Sequence, residues 1–329
     1  MSIGAPVMRD IWVGFWVCLL VSLPAQAVTY SNHINTSEWE ARSSVFECRL
    51  EHTVPYYGKA VFRTRAGERS GFFLSAKASR FKAGEAKLTT RIPVWFNPNE
   101  EERESLMGAA PIKQGKWPLW LDTTWAERMM AELSEGNEVA IKQKVWFNSE
   151  AEEAELALSS IGFKKAYRRY LDCLAGLLPA NFDQLKRTAL YFEPGETDEL
   201  SPGLQRQLDK ILALVKHDNK LRMFYIDGHT DSNGDRAENL ELSKTRAELV
   251  STYLKRRGIP EDWIVIRWHG ERYPVASNAT VNGRARNRRV TVRLERIEEI
   301  DVLPLGGKSD TAAAVGDGQR AHAGDANEQ

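Results

Sequence analysis

The densest run of side chains able to do chemistry is Asp227-Gly228-His229-Thr230-Asp231-Ser232-Asn233-Gly234. It is followed by Asn239, Leu242-Ser243 and Arg246-Ala247, and much later by Asn287-Arg288-Arg289-Val290. Asp231 offers a carboxylate and Arg246 a planar guanidinium fork. A ligand carrying an ammonium and a carboxylate on one carbon satisfies both, with a charge-assisted bond at each end. Gly228 and Gly234 permit a tight loop between them. His229, flanked by Asp227 and Asp231, also suggests a metal ligand or a general base. No Ser-His-Asp order, paired catalytic glutamates or zinc spacing accompanies it, so these residue types point to binding rather than hydrolysis.

Such residues need elements to hold them. Residues 185–192 read as an extended segment, and Leu204, Leu208, Ile211, Leu212 and Val215 recur at helical spacing. Residues 221–227 alternate as a strand. A helix is expected over 239–257, with Leu240, Ala247, Val250 and Leu254 on its apolar face and Gly258 as its stop. Ile264, Ile266 and Trp268 alternate in a further strand, and 290–294 gives the last. Long connections through helices favour βαβ crossovers over hairpins. The Asp231 loop then falls between a strand end and a helix start, where α/β sheets place ligands.

Upstream the period is two. Residues 45–50, 60–64, 71–77 and 87–95 are rich in β-formers and punctuated by Pro55, Gly58, Gly67 and Gly84, which predicts antiparallel strands. Residues 122–133 read as a short helix, 137–147 and 155–159 as strands, and 163–178 as a helix carrying Tyr167, Tyr170, Leu171, Leu174 and Leu178. Pro179-Ala180-Asn181 breaks the pattern and marks a domain boundary. The fold class is therefore α+β: a mostly-β N-terminal domain, then a βαβ-type α/β sandwich domain. Trp95, Trp117, Trp120, Trp125 and Trp146 are many for the first of these. Core filling accounts for most, and the stretch 111–125, where Trp117-Pro118-Leu119-Trp120 lacks periodicity, is expected to be an interface.

The 329 residues are 42% hydrophobic and 27% charged, which suits about two globular domains and excludes a wholly disordered chain. Arg9, the apolar run 11–23 and Ala25-Gln26-Ala27 follow the order of a secretory signal. As a helix that run covers only about 20 Å of a roughly 30 Å hydrocarbon core, which argues against an anchor. Cleavage after Ala27 removes Cys18 and leaves Cys48 and Cys173 in an oxidising compartment. A disulfide, two unrelated buried thiols and a metal pair are the readings open to them, and no histidine spacing favours the metal. Lys+Arg and Asp+Glu number 45 each, a neutrality that argues against a nucleic-acid binder. That zero is a sum of opposed parts. Residues 183–296 hold 21 basic and 17 acidic side chains, whereas 297–329 hold two basic and seven acidic. The expected division is a signal peptide over 1–27, a β-rich domain over 28–180, a mildly basic domain over 183–296, and an acidic disordered tail over 297–329.

At the residues first named, the chain resembles the OmpA-like peptidoglycan-binding domain, whose signature reads G-H-T-D-x-x-G, N-x-x-L-S-x-x-R-A and N-R-R-V. The resemblance implies an OmpA-like βαβ sandwich in which Asp231 and Arg246 grip the diaminopimelate of a peptidoglycan stem peptide. Asn239, Leu242, Asn287 and Arg288 would line or support that pocket, and Gly228, His229, Thr230 and Gly234 would shape its loop. It implies no cofactor and no enzymatic activity. The stretch 46–62, FECRLEHTVPYYGKAVF, together with the later Cys173, resembles the MotY family of periplasmic flagellar-motor proteins. That implies a Cys48–Cys173 disulfide, a place in the T ring of the basal body, and a MotX-like partner and the stator complex as neighbours. The alternative is a general OmpA-like protein that stabilises the envelope with no flagellar role.

Overall fold

The computed structural model describes residues 28–78, 81–93, 96, 103–145 and 153–297. The leader, Trp95, Trp146 and the acidic tail beyond Ile297 lie outside these residues.

Alternating β-formers in the first half build two five-stranded sheets, with strands numbered in chain order. One runs β2 (Trp39–Ser43), β3 (Glu47–Val54), β4 (Gly58–Arg65), β5 (Gly71–Ala76) and β8 (Trp120–Leu121), antiparallel throughout. The other runs β1 (Val28–Tyr30), β10 (Glu153–Leu158), β9 (Glu138–Lys144), β6 (Gly84–Arg91) and β7 (Glu104–Ile112), with β1 parallel to β10. The register puts Leu50, Phe62, Phe72 and Leu121 in one cross-strand row and Leu88, Ile141 and Leu156 in another. All seven are buried in a single core. Each such side chain contributes about 1.5–3 kcal/mol by leaving water. β2 and β7 are absent from the pattern read in the sequence. β7 is an edge strand with Gly108 and Pro111 inside it, and neither residue type signals a strand.

Two helices close this core. α1 (Thr123–Glu135) starts where the Asp122 carboxylate accepts from the Trp125 amide and buries Ala126, Met129, Met130 and Leu133. α2 (Phe163–Ala175) ends at Gly176, three residues short of the expected limit, and its buried stripe is Phe163, Ala166, Tyr170 and Cys173. Leu171, expected inside, is exposed, because the stripe is centred on the Tyr170 hydroxyl, 2.6 Å from Thr64 Oγ1. Cys173 is bonded to Cys48 of β3, with their Cα atoms 5.9 Å apart.

The second half holds a separate core. It contains α3 (Phe182–Leu185), β11 (Arg187–Tyr191), α4 (Pro202–His217), β12 (Leu221–His229), α5 (Arg236–Arg256), β13 (Ile264–Trp268), α6 (Val281–Asn287) and β14 (Arg289–Arg296). The sheet order is β11-β14-β12-β13. β12 and β13 are parallel neighbours joined through α5, a βαβ unit, while β14 lies antiparallel between β11 and β12. Leu190, Val290, Val292, Phe224 and Ile226 turn inward, where Leu204, Leu208, Ile211 and Leu214 of α4 and Ala247, Val250 and Leu254 of α5 meet them.

The two halves are in contact rather than joined by a free linker: Ala66 sits in the second core with Val45 and Phe46 packed against it, and polar contacts surround them. The Asn181 side chain caps α3 and donates to the Ala66 carbonyl at 3.0 Å and to Glu68 Oε1 at 2.8 Å. Gln184 donates to the Gly67 carbonyl at 2.9 Å, and Arg65 pairs with Asp183 at 2.8 Å.

Candidate functional site

β12 ends at His229, and Asp235 caps α5 by accepting from the Ala237 amide at 2.7 Å. The loop between them bears Asp231. Gly234 takes φ +90°, a left-handed turn that returns the chain to the helix. Gly228 is required for a different reason: a Cβ there would stand 2.0 Å from the Ser243 carbonyl oxygen, so its absence lets β12 and α5 come together. α5 starts three residues before the expected position, and Leu240 is exposed instead of buried. The face it buries reads Asn239, Ser243, Arg246, Ala247, Val250, Ser251 and Leu254. Its N-terminal half thus buries polar groups and only its C-terminal half buries apolar ones.

Arg246 is 0% exposed. Its Nε donates to the Glu196 carbonyl and its Nη2 to the Glu193 carbonyl, both at 3.1 Å, and its guanidinium lies 5.3 Å from the Phe192 ring centre. Its Nη1 is buried with no hydrogen-bond partner. Burial, with Arg288 adding to it, holds the Arg246 guanidinium below its ordinary pKa, and Glu196 and Asp231 oppose the shift. Asp231 Oδ1 accepts from the Asn233 amide at 3.1 Å, and its Oδ2 accepts from Arg288 Nη1 at 3.0 Å. Asp231 after β12, Arg246 on α5 and Arg288, the residue between α6 and β14, therefore meet around one loop pair, 229–235 and 192–196.

The supporting residues differ in kind. Asn239 Nδ2 donates to the Asn233 carbonyl at 3.0 Å and to Glu271 Oε2 at 3.1 Å, so it fixes the Asp231 loop. Leu242 is half-buried on α5. Asn287 is wholly engaged inside the protein: it accepts from the Val275 and Ala276 amides and donates to the Ala276 carbonyl and Asn278 Oδ1, shaping the segment before α6. Thr230 Oγ1 and His229 Nδ1 are buried without partners. His229 stacks on His269 at 4.9 Å, and burial, then Arg289 and His269, push it down to about 4. Asp227 is taken up by Arg267, at 2.7 and 3.0 Å, and by His269 Nε2 at 3.1 Å. Among the described residues no group of three or more His, Cys, Asp or Glu side chains is placed to hold a metal ion.

Sequence reading missed Phe192, Glu271 and the carbonyls of Glu193 and Glu196. Carbonyls leave no trace in residue type, and Glu271 stands outside the signature. In the first half, Trp117 and Trp120 are 53% and 57% exposed, with Trp120 stacked on Phe73 at 5.3 Å and Arg63 over both rings. Trp125 is partly buried against the core.

Comparison with known proteins follows the same division. The MotY N-terminal domain matches residues 30–179 and the OmpA family matches residues 191–288. The outer-membrane lipoprotein YfiB of Pseudomonas aeruginosa is 41% identical over 97 residues, 29% of this chain and 56% of that protein. The crystal structure of the peptidoglycan-associated lipoprotein from Burkholderia pseudomallei overlaps 32% of this chain and 89% of its own, with 25% identity and a TM-score of 0.31. The sodium-type flagellar protein MotY of Vibrio parahaemolyticus is 31% identical over 286 residues, 85% of this chain and 95% of that protein. With both halves matched in order and nearly the full length of that relative covered, the chain belongs to the MotY family of flagellar motor proteins and carries an OmpA-family domain as its second half.

Proposed function

We propose that the chain is a non-enzymatic, exported motor component that works in the periplasm after loss of its leader. Its second half grips the free diaminopimelate end of a peptidoglycan stem peptide between Asp231 and Arg246. Its first half docks on the basal body as part of the T ring, beside a MotX-like partner, and the two together position the stator units. The observation that carries the wall-binding part is the Arg246 Nη1 donor, buried on a guanidinium that no carboxylate bonds. A buried charge without a partner is costly, and a ligand carboxylate supplies what the fold withholds, about 1.5–3 kcal/mol for a charge-assisted bond.

Arg246→Ala is expected to reduce co-sedimentation with purified sacculi at least about tenfold, while the circular dichroism spectrum is retained. Undiminished sedimentation of the folded variant would remove the site. Deleting the gene is expected to leave filaments assembled and swimming impaired. A fully motile deletion strain would favour the general envelope-binding alternative.

A further inference from the structure

Given the proposed wall ligand, the distribution of charge in the site ranks the two ends of that ligand. Asp231 is engaged before any ligand arrives: Oδ1 by the Asn233 amide and Oδ2 by Arg288 Nη1, with the paired side chains only 10% and 14% exposed. Arg288 is itself held in place. Its Nε donates to the Phe192 carbonyl at 3.1 Å, and the Phe192 amide donates back to the Arg288 carbonyl at 2.9 Å. Arg246 has no equivalent counter-charge in contact, because its bonded N–H groups meet neutral carbonyls and Nη1 meets nothing. The Glu196 carboxylate is committed elsewhere, one oxygen to the Glu193 amide at 2.9 Å and the other to the Ser201 amide at 3.1 Å. An incoming ammonium therefore meets a carboxylate already neutralised, whereas an incoming carboxylate meets a guanidinium that is not.

We propose that Arg288 sets the specificity of the site by neutralising Asp231, so that the ligand's free carboxylate is the obligatory determinant and its ammonium a secondary one. The ligand class is a stem-peptide end with an unmodified carboxylate, and amidation of that carboxyl removes the dominant contact. Arg288 is a positioning residue that acts through Asp231. This inference rests on the wall-binding reading but makes separate demands.

The test is titration of the mature protein, followed by NMR, with three probes. These are meso-diaminopimelate, pimelate (which keeps the carboxylates and lacks the amines), and the diamide of meso-diaminopimelate (which keeps the amines and lacks the carboxylates). Pimelate is expected to bind within about tenfold of meso-diaminopimelate and the diamide at least about a hundredfold more weakly. In Arg288→Gln the amine gains weight, so the meso-diaminopimelate to pimelate affinity ratio rises about tenfold, and Arg288→Lys returns it toward the wild-type value. A diamide that binds as tightly as pimelate overturns the proposal without need of any variant, and so does an unchanged ratio in Arg288→Gln. A wild-type protein that sediments with sacculi yet binds none of the probes overturns the specificity proposal alone. One that binds neither overturns the wall reading with it.

Discussion

Among the described residues the largest fully buried side chain is a cation, Arg246, and His229, at the end of β12, is a buried base. Both depart from core chemistry: Arg246 bonds only neutral carbonyls and keeps Nη1 unpartnered, and His229 keeps Nδ1 unpartnered. His229 gives this a measurable consequence. Its folded pKa, about 4, lies below the ordinary histidine value, so protons bind preferentially to the unfolded chain. The stability it confers is complete above about pH 6.5 and is lost as pH falls toward 4. His52, also lowered by burial, acts with the same sign. Urea unfolding is therefore expected to show wild-type stability declining between pH 7 and pH 4.5, with a smaller decline in His229→Gln. Equal declines would take His229 out of the account.

At the scale of elements, the approach of β12 to α5 decides whether the site exists. Gly228→Ala would drive a Cβ into the Ser243 carbonyl, a backbone atom that cannot step aside. The expected cost is roughly 3 kcal/mol or more, together with loss of sacculus binding as Arg246 moves with its helix. A variant of wild-type melting temperature would refute the close-packing argument. Period-two and helical spacing revealed β12, α1 and α4 nearly to their ends through their apolar faces, and β4 and β5 through their runs of β-formers, which bury Ala60-Val61-Phe62 and Phe72-Phe73-Leu74 on both faces. α5 was legible as a helix but not in its buried face, because Asn239, Ser243 and Arg246 sit where an apolar stripe would continue. β7 was not legible at all: an edge strand pairs on one side only, and its Gly108 and Pro111 satisfy that edge without marking a strand. The signature residues of the site were visible in the sequence, but the roles of Asn287 and Arg288 depend on contacts across 11 and 57 positions that spacing does not encode.

The whole molecule sets its candidate ligand site and its exposed tryptophans in separate halves of the chain. The Asp231–Arg246 site belongs to the second core, whereas exposed Trp117 and Trp120 belong to the first. Trp120, under Arg63 and stacked on Phe73, and Trp117, edge-on to the same Phe73 ring, suit a docking face. The double variant Trp117→Ala with Trp120→Ala is expected to stay within about 1 kcal/mol of wild-type stability and to sediment normally with sacculi, yet to impair swimming. Normal swimming would discard that face.

The Cys48–Cys173 bond bears on what such a molecule does under load. Tension between the start of the chain and the second core need not run through the two sheets. It crosses from β3 to α2 through sulfur and bypasses a loop with a sequence separation of 125 residues. Paid out, that loop would amount to on the order of 400 Å of slack. With the bond in place, a pull between the two halves would meet a short tether of nearly fixed length and would load the Asn181 and Arg65 contacts and the seat of Ala66 in the second core.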